Sequence, residues 1–139
     1  MHDLKMDMPA LRAFLDAEFP QVAGALDLRT LSPGRLDLVL RPDDSHLRPG
    51  GTVSGPTMFM LADVGVYLAV LALVGPRALA VTTGCSMDFL RKPSADKTLL
   101  AEIEILKCGR RLAVGDARLT SGGAEGPLVA RGTLTYFIP

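Results

Sequence analysis

The chain has 139 residues, with 15 Lys and Arg against 15 Asp and Glu. That length holds one domain with a core of its own and is short for two, so a single domain over residues 1–139 is expected. The charge balance lacks the basic surplus with which nucleic-acid binders hold phosphate, so no nucleic-acid partner is expected.

In chain order, MHDLKMDMPALRAFLDAEF is acidic and amphipathic without an apolar signal-peptide core, so it does not read as a secretion signal. Pro9–Phe19 reads as a short helix, with Leu11, Phe14, Leu15 and Phe19 on one face. Ala25–Leu31 and Arg35–Arg41 read as strands around the turn Ser32-Pro33-Gly34; Leu36, Leu38 and Leu40 alternate strictly in the second. The loop PDDSHLRPGGTVSG follows. A long apolar helix begins at Pro56 and stops at Gly75-Pro76. Leu79–Leu90, Thr98–Lys107, Arg111–Thr120 and Leu128–Ile138 then read as strands separated by turn signals. In the first of these, alternation puts Val81, Thr83, Cys85, Met87 and Phe89 on one face and Thr82, Gly84, Ser86 and Asp88 on the other. The order implies an α+β fold, an antiparallel sheet with one helix on its concave face.

The long helix is about the length of a membrane span. Against that reading, Asp63 at its middle costs about 2.5–3.5 kcal/mol on insertion scales, and no Lys/Arg cluster flanks one side. The strands also need a helix to cover them, so we read a helix buried by protein. Cys85 and Cys108 lack CxxC spacing and stand in apolar or strand-like surroundings. They read as buried thiols in a reducing compartment, which implies a cytoplasmic protein.

Asp63 poses the functional question. It can be a surface residue or an Arg-paired helix carboxylate. Yet its helical neighbours Phe59, Met60, Val66 and Tyr67 are apolar, and a buried carboxylate must find donors or give up its charge. Such groups concentrate at active sites. Gly55-Pro56 can be plain helix entry. It can also be an anion site, because the first N–H groups of a helix are free and the small residues of GGTVSG let a ligand approach. An oxyanion donor and a base must both reach one reacting group within about 3 Å. Gly55 and Asp63 are separated by roughly 12 Å of helix. Two chains with antiparallel helices can bring Gly55 of one to Asp63 of the other, so the spacing predicts a homodimer with two shared sites.

The stretch HLRPGGTVSGPTMFMLADVGVYLAVLALVGPRALAVTTGCSMDFLRKP resembles the hot-dog-fold acyl-CoA thioesterases of the phenylacetate-pathway, PaaI-like group. The likeness rests on the loop-to-helix glycine, the LAD in the helix and the threonine strand ending in FLR-P, and extends more loosely through the closing strands. It implies a long helix wrapped by a curved antiparallel sheet of five or six strands, paired as a dimer and often as a dimer of dimers. It implies that Asp63 activates water or attacks the thioester, that the Gly55 N–H polarises the carbonyl, and that Thr82, or its neighbour Thr83, orients water or carboxylate. The group's usual loop carries an asparagine and a His-Gly-Gly where this chain has Arg48 and Ser54-Gly55-Pro56, similar to a variant subset. Ser54 keeps a hydroxyl donor, and Arg48 suits a carboxylate or phosphate.

The expected substrate is an acyl-CoA, with no cofactor beyond the coenzyme A that it carries. Met58, Phe59, Met60 and Tyr67 are candidates for the acyl wall, though most can equally be core residues. Arg91 and Lys92, with Lys107, Arg110 and Arg111, can hold coenzyme A phosphates or simply be wet turn residues. The histidines are His2, at the terminus, and His46, in the loop; neither reads as the base of a Ser-His-Asp or Cys-His site, and without a carboxylate or thiol cluster they do not suggest a metal site. His46, two residues before the usual asparagine position, is either a solvated loop residue or one that touches substrate. A non-hydrolytic acyl-CoA or acyl-carrier binder and a hot-dog hydratase remain as alternatives.

Overall fold

A computed structural model describes residues 3–139; His2 lies outside them. The elements are α1 (Met8–Glu18), α2 (Pro20–Ala23), β1 (Leu26–Ser32), β2 (Arg35–Leu40), α3 (Gly55–Val74), β3 (Val81–Phe89), β4 (Leu99–Cys108), β5 (Leu112–Ser121) and β6 (Leu128–Phe137), with a 3₁₀ turn at Asp44–His46. The six strands form one sheet in the order β1-β2-β4-β5-β6-β3. Every pairing is antiparallel, and β1 and β3 are the edges. This is the helix-and-sheet layout that the resemblance implies, with six strands.

Alternation drives the sheet. Leu36, Leu38 and Leu40 of β2 are fully buried, as are Ala101 of β4, Ala117 of β5 and Leu134 of β6. They meet α3, in which only six of twenty residues keep appreciable exposure and no polar stripe exists. The helix is long and apolar enough to cross a membrane, but most of it lies inside the wrap of the sheet. It seats closest at Gly65, where a Cβ would stand 2.7 Å from Ile103 Cδ1 and 3.1 Å from Leu38 Cδ2. At its far end Gly75 turns the chain out at φ 97°, and its N–H caps the Leu71 carbonyl.

Helix α1 starts at Asp7, whose carboxylate accepts the Ala10 N–H at 3.0 Å. Its Leu11 and Leu15 are buried as the spacing predicts. Phe14 and Phe19 lie against the Tyr67 ring, with centroids 6.1 and 5.6 Å away.

Two readings are corrected. Cys85 is exposed and Cys108 half-buried, so neither is the buried thiol expected from its apolar neighbours. Cys85 is exposed because β3 is an edge strand. The second correction concerns β3 itself. Its register against β6 slips between Thr82 and Gly84, so Thr83 bulges out and the faces exchange there. Thr82 pairs opposite the buried Tyr136 and turns inward with Cys85 and Met87, leaving Gly84, Ser86 and Asp88 on the outer face. Strict alternation had put Thr82 with the outer set.

Candidate active site

The loop before α3 is a built structure. In its 3₁₀ turn, the Asp43 N–H donates to His46 Nδ1 at 2.9 Å while the Asp43 carboxylate accepts the Ser45 N–H. The His46 ring thus caps a turn. Gly50 and Gly51, at φ 102° and 81°, reverse the chain so that Leu47 bridges Val53. Val53 N–H then donates to the Pro93 carbonyl at 3.1 Å. That bond draws the loop against the segment after β3 and sets Arg48 near Arg91 and Lys92.

Ser54 caps α3. Its hydroxyl oxygen accepts the Thr57 N–H at 3.2 Å and lies 2.8 Å from the Thr57 hydroxyl, which donates to the His46 carbonyl at 3.2 Å. Pro56 has no N–H. The Gly55 N–H finds no acceptor among the described residues, and the positive end of the α3 dipole lies behind it. A Cβ at residue 55 would reach only the Phe89 ring, at 3.8 Å. Gly55, Arg48, Met58, Arg91 and Lys92 line one cleft of about 440 Å³ with Val53, Phe89 and Leu90. The cleft thus gathers a free helix N–H, three cations and an apolar floor.

Asp63 stands two turns along the helix, outside that cleft and partly exposed. Its Oδ1 accepts the Thr82 hydroxyl at 2.6 Å and the Tyr136 hydroxyl at 2.7 Å; the Asp63 carbonyl lies 3.0 Å from the same Tyr136 oxygen. No donor among the described residues reaches Oδ2. The carboxylate has found donors without an Arg partner. Partial desolvation of the inward-facing but exposed Cys85 thiol, and secondarily the neighbouring Asp63, push it above its usual range. Burial also drives the Tyr136 hydroxyl well above the ordinary tyrosine range; the Thr82 hydrogen bond opposes that shift and Asp63 adds to it.

The remaining candidates scatter. Thr83 is exposed on the bulge, and its hydroxyl donates to the Thr135 carbonyl at 3.4 Å. Phe59 and Met60 are half-buried against the core. Arg110 and Arg111 lie at the β4–β5 hairpin by Arg77, near the opposite end of α3 from Gly55. Tyr136 was missed by sequence reasoning. Its signal was available: β6 alternates with Gly132, Leu134 and Tyr136 inward, and a buried phenol needs a partner for its hydroxyl. Among the described residues no cluster of His, Cys, Asp or Glu suits a metal ion.

Within a chain, therefore, the two candidate groups lie at opposite ends of β3: Asp63 beside Thr82, and Gly55 beside Phe89.

Comparison with known proteins gives one family. Residues 50–127 match the thioesterase superfamily model. A candidate esterase from Pseudomonas aeruginosa is 33% identical over 105 residues, 76% of each chain. Among solved structures, a candidate thioesterase from Silicibacter sp. TM1040 superposes with a TM-score of 0.90 at 51% identity, over 99% of this chain and 94% of that one. The phenylacetic acid degradation protein PaaI from Thermus thermophilus, solved as a point mutant, gives a TM-score of 0.73 at 30% identity over 91% and 99%. A hypothetical thioesterase from Streptococcus pneumoniae TIGR4, solved with coenzyme A, gives 0.73 at 26% identity over 81% and 87%.

Proposed function

Because the chain belongs to the thioesterase superfamily, we propose that it hydrolyses an acyl-CoA to the free acid and coenzyme A at two sites shared across a homodimer. The observation that carries this reading is the Asp63 carboxylate, held by hydroxyls on an otherwise apolar helix with Oδ2 free. Asp63 takes a proton from water as the water oxygen adds to the thioester carbon. The partner's Gly55 donates its N–H to the oxyanion, the C–S bond breaks, and the thiolate leaves and is protonated. Direct attack by Oδ2 followed by hydrolysis gives the same products. A thiol with a pKa of about 8.5 departs with little acid help, so the missing histidine of the Ser54-Gly55-Pro56 loop is tolerable. The reaction uses the chain's own groups and no cofactor.

The edge strand supports the dimer. Val81, Phe89 and Leu90 are about half exposed and Leu79 is 79% exposed, an apolar border on an unpaired edge. If two copies pair antiparallel through β3 about its centre, near Cys85 and Ser86, Thr82 of one lies near Phe89 of the other. Asp63 then approaches the partner's Gly55, which is the convergence the chemistry needs. Arg48, Arg91 and Lys92 beside Gly55 suit coenzyme A phosphates. The Streptococcus pneumoniae relative holds coenzyme A, which favours that substrate class. Two free cysteines suit a cytoplasmic setting.

The test is a panel of acyl-CoAs with thiol release as the readout. We expect turnover by the wild type and a loss of roughly 10³-fold or more in Asp63→Asn. Tight binding without turnover would make the protein an acyl-CoA binder instead. A hydratase finds less support, since it needs a histidine paired with the acting carboxylate, and the described groups on the Asp63 carboxylate are the Thr82 and Tyr136 hydroxyls, with His46 tied to Asp43 in the loop.

A further inference from the structure

We propose that Tyr136 is a positioning residue that, with Thr82, occupies Oδ1 of Asp63 and so selects Oδ2 as the oxygen that acts on water or substrate. The inference rests on the reading of Asp63 as base or nucleophile.

The geometry is specific. Both hydroxyls reach the same carboxylate oxygen, at 2.6 and 2.7 Å, and Oδ2 receives nothing among the described residues. The Tyr136 proton has two candidate acceptors, and the carboxylate is the nearer: 2.7 Å against 3.0 Å to the Asp63 carbonyl. The second contact is useful. It fixes the phenol against the helix backbone as well as the side chain, so the carboxyl plane is referenced to α3 itself. The ring is held in turn: Tyr136 is 4% exposed, and its centroid lies 5.8 Å from that of Tyr67. A carboxylate free to rotate would present either oxygen; one with two donors on Oδ1 presents one.

The groups facing Asp63 are few. Thr82 and Cys85 approach from β3 and Tyr136 from β6, while Tyr67, one turn along α3, donates its hydroxyl to the Ala78 carbonyl at 3.0 Å. Cys85 and Tyr136 are both held above their usual ranges, so neither ionises where a carboxylate base controls the rate. Tyr136 stays a donor throughout. Its loss removes stabilisation of the charged carboxylate, and the acid limb of the rate profile must move to higher pH.

The test compares wild type, Tyr136→Phe and Asp63→Asn, measuring kcat, KM, the pH profile of kcat/KM and thermal unfolding. Tyr136→Phe keeps the ring and is expected to lose roughly tenfold in kcat with KM within about twofold, and to shift the acid limb upward by about one pH unit. A wild-type profile in Tyr136→Phe beside an inactive Asp63→Asn would reduce Tyr136 to a core residue. An active Asp63→Asn would instead overturn the catalytic reading on which the inference stands. Should Tyr136→Phe not fold, replacing both tyrosines with 3-fluorotyrosine supplies a stronger donor. It is expected to move the acid limb downward, and an unmoved limb would overturn the proposal.

Discussion

Asp63 explains itself once its neighbours are known. A carboxylate on an apolar helix is costly unless donors reach it, and the sheet supplies two hydroxyls to one oxygen. The tyrosine hydroxyls carry a cost of their own at high pH. Burial raises both tyrosine hydroxyls, Tyr67 with help from Glu18 and Tyr136 with help from Asp63. A phenol is charged only after losing its proton, so a raised value means that the fold favours the protonated form. Its contribution is intact below the unfolded value of about 10 and is lost as pH climbs beyond it. With two tyrosines and no tryptophan, the absorbance at 295 nm reads this cleanly. It should stay flat past pH 10 and rise only as far-UV circular dichroism is lost; a rise near pH 10 with the fold intact would contradict the burial. Asp63 itself was legible in the sequence because a lone charge breaks an apolar run. Tyr136 was legible in principle but went unread, because it closes a strand 73 residues away and only the fold makes the two neighbours.

At the scale of elements, the periodic segments were legible and the aperiodic ones were not. The strands, α1 and α3 were readable to within a residue or two, since hydrophobic spacing dictates them. The short α2 and the 3₁₀ turn were not, because neither is long enough to show a period. The bulge at Thr83 was invisible for a different reason: it is a fault in pairing between β3 and β6, and pairing is not written in either strand alone. The orientation of Thr82 depends on it, and only the family resemblance pointed at that residue. The same strand pair makes a prediction. A Cβ on Gly132 would stand 2.8 Å from the Ser86 backbone oxygen, which no rotamer change relieves. Gly132→Ala should push β3 off β6, lower stability by about 1–3 kcal/mol and weaken self-association. Urea unfolding and sedimentation check both, and wild-type values would show that the edge strand yields freely.

Within one chain, the two groups on which the proposed chemistry rests lie apart. The free Gly55 N–H and its cations lie at one end of β3, and Asp63 with its hydroxyls lies at the other. An exposed apolar edge between them suits a second copy. The measurement that tests this most directly is complementation between two inactive variants. Asp63→Asn removes the carboxylate. Gly55→Pro removes the N–H, and Ser54 at ψ 154° already has the backbone that precedes proline. Each homodimer should lose roughly 10²-fold or more in kcat. Mixed after dissociation and reassociation, a heterodimer has one doubly damaged site and one intact site. Activity should therefore return to about one quarter of the wild-type level at equal, random mixing. A mixture as inactive as its components would contradict the shared site and place both groups in the service of a single chain.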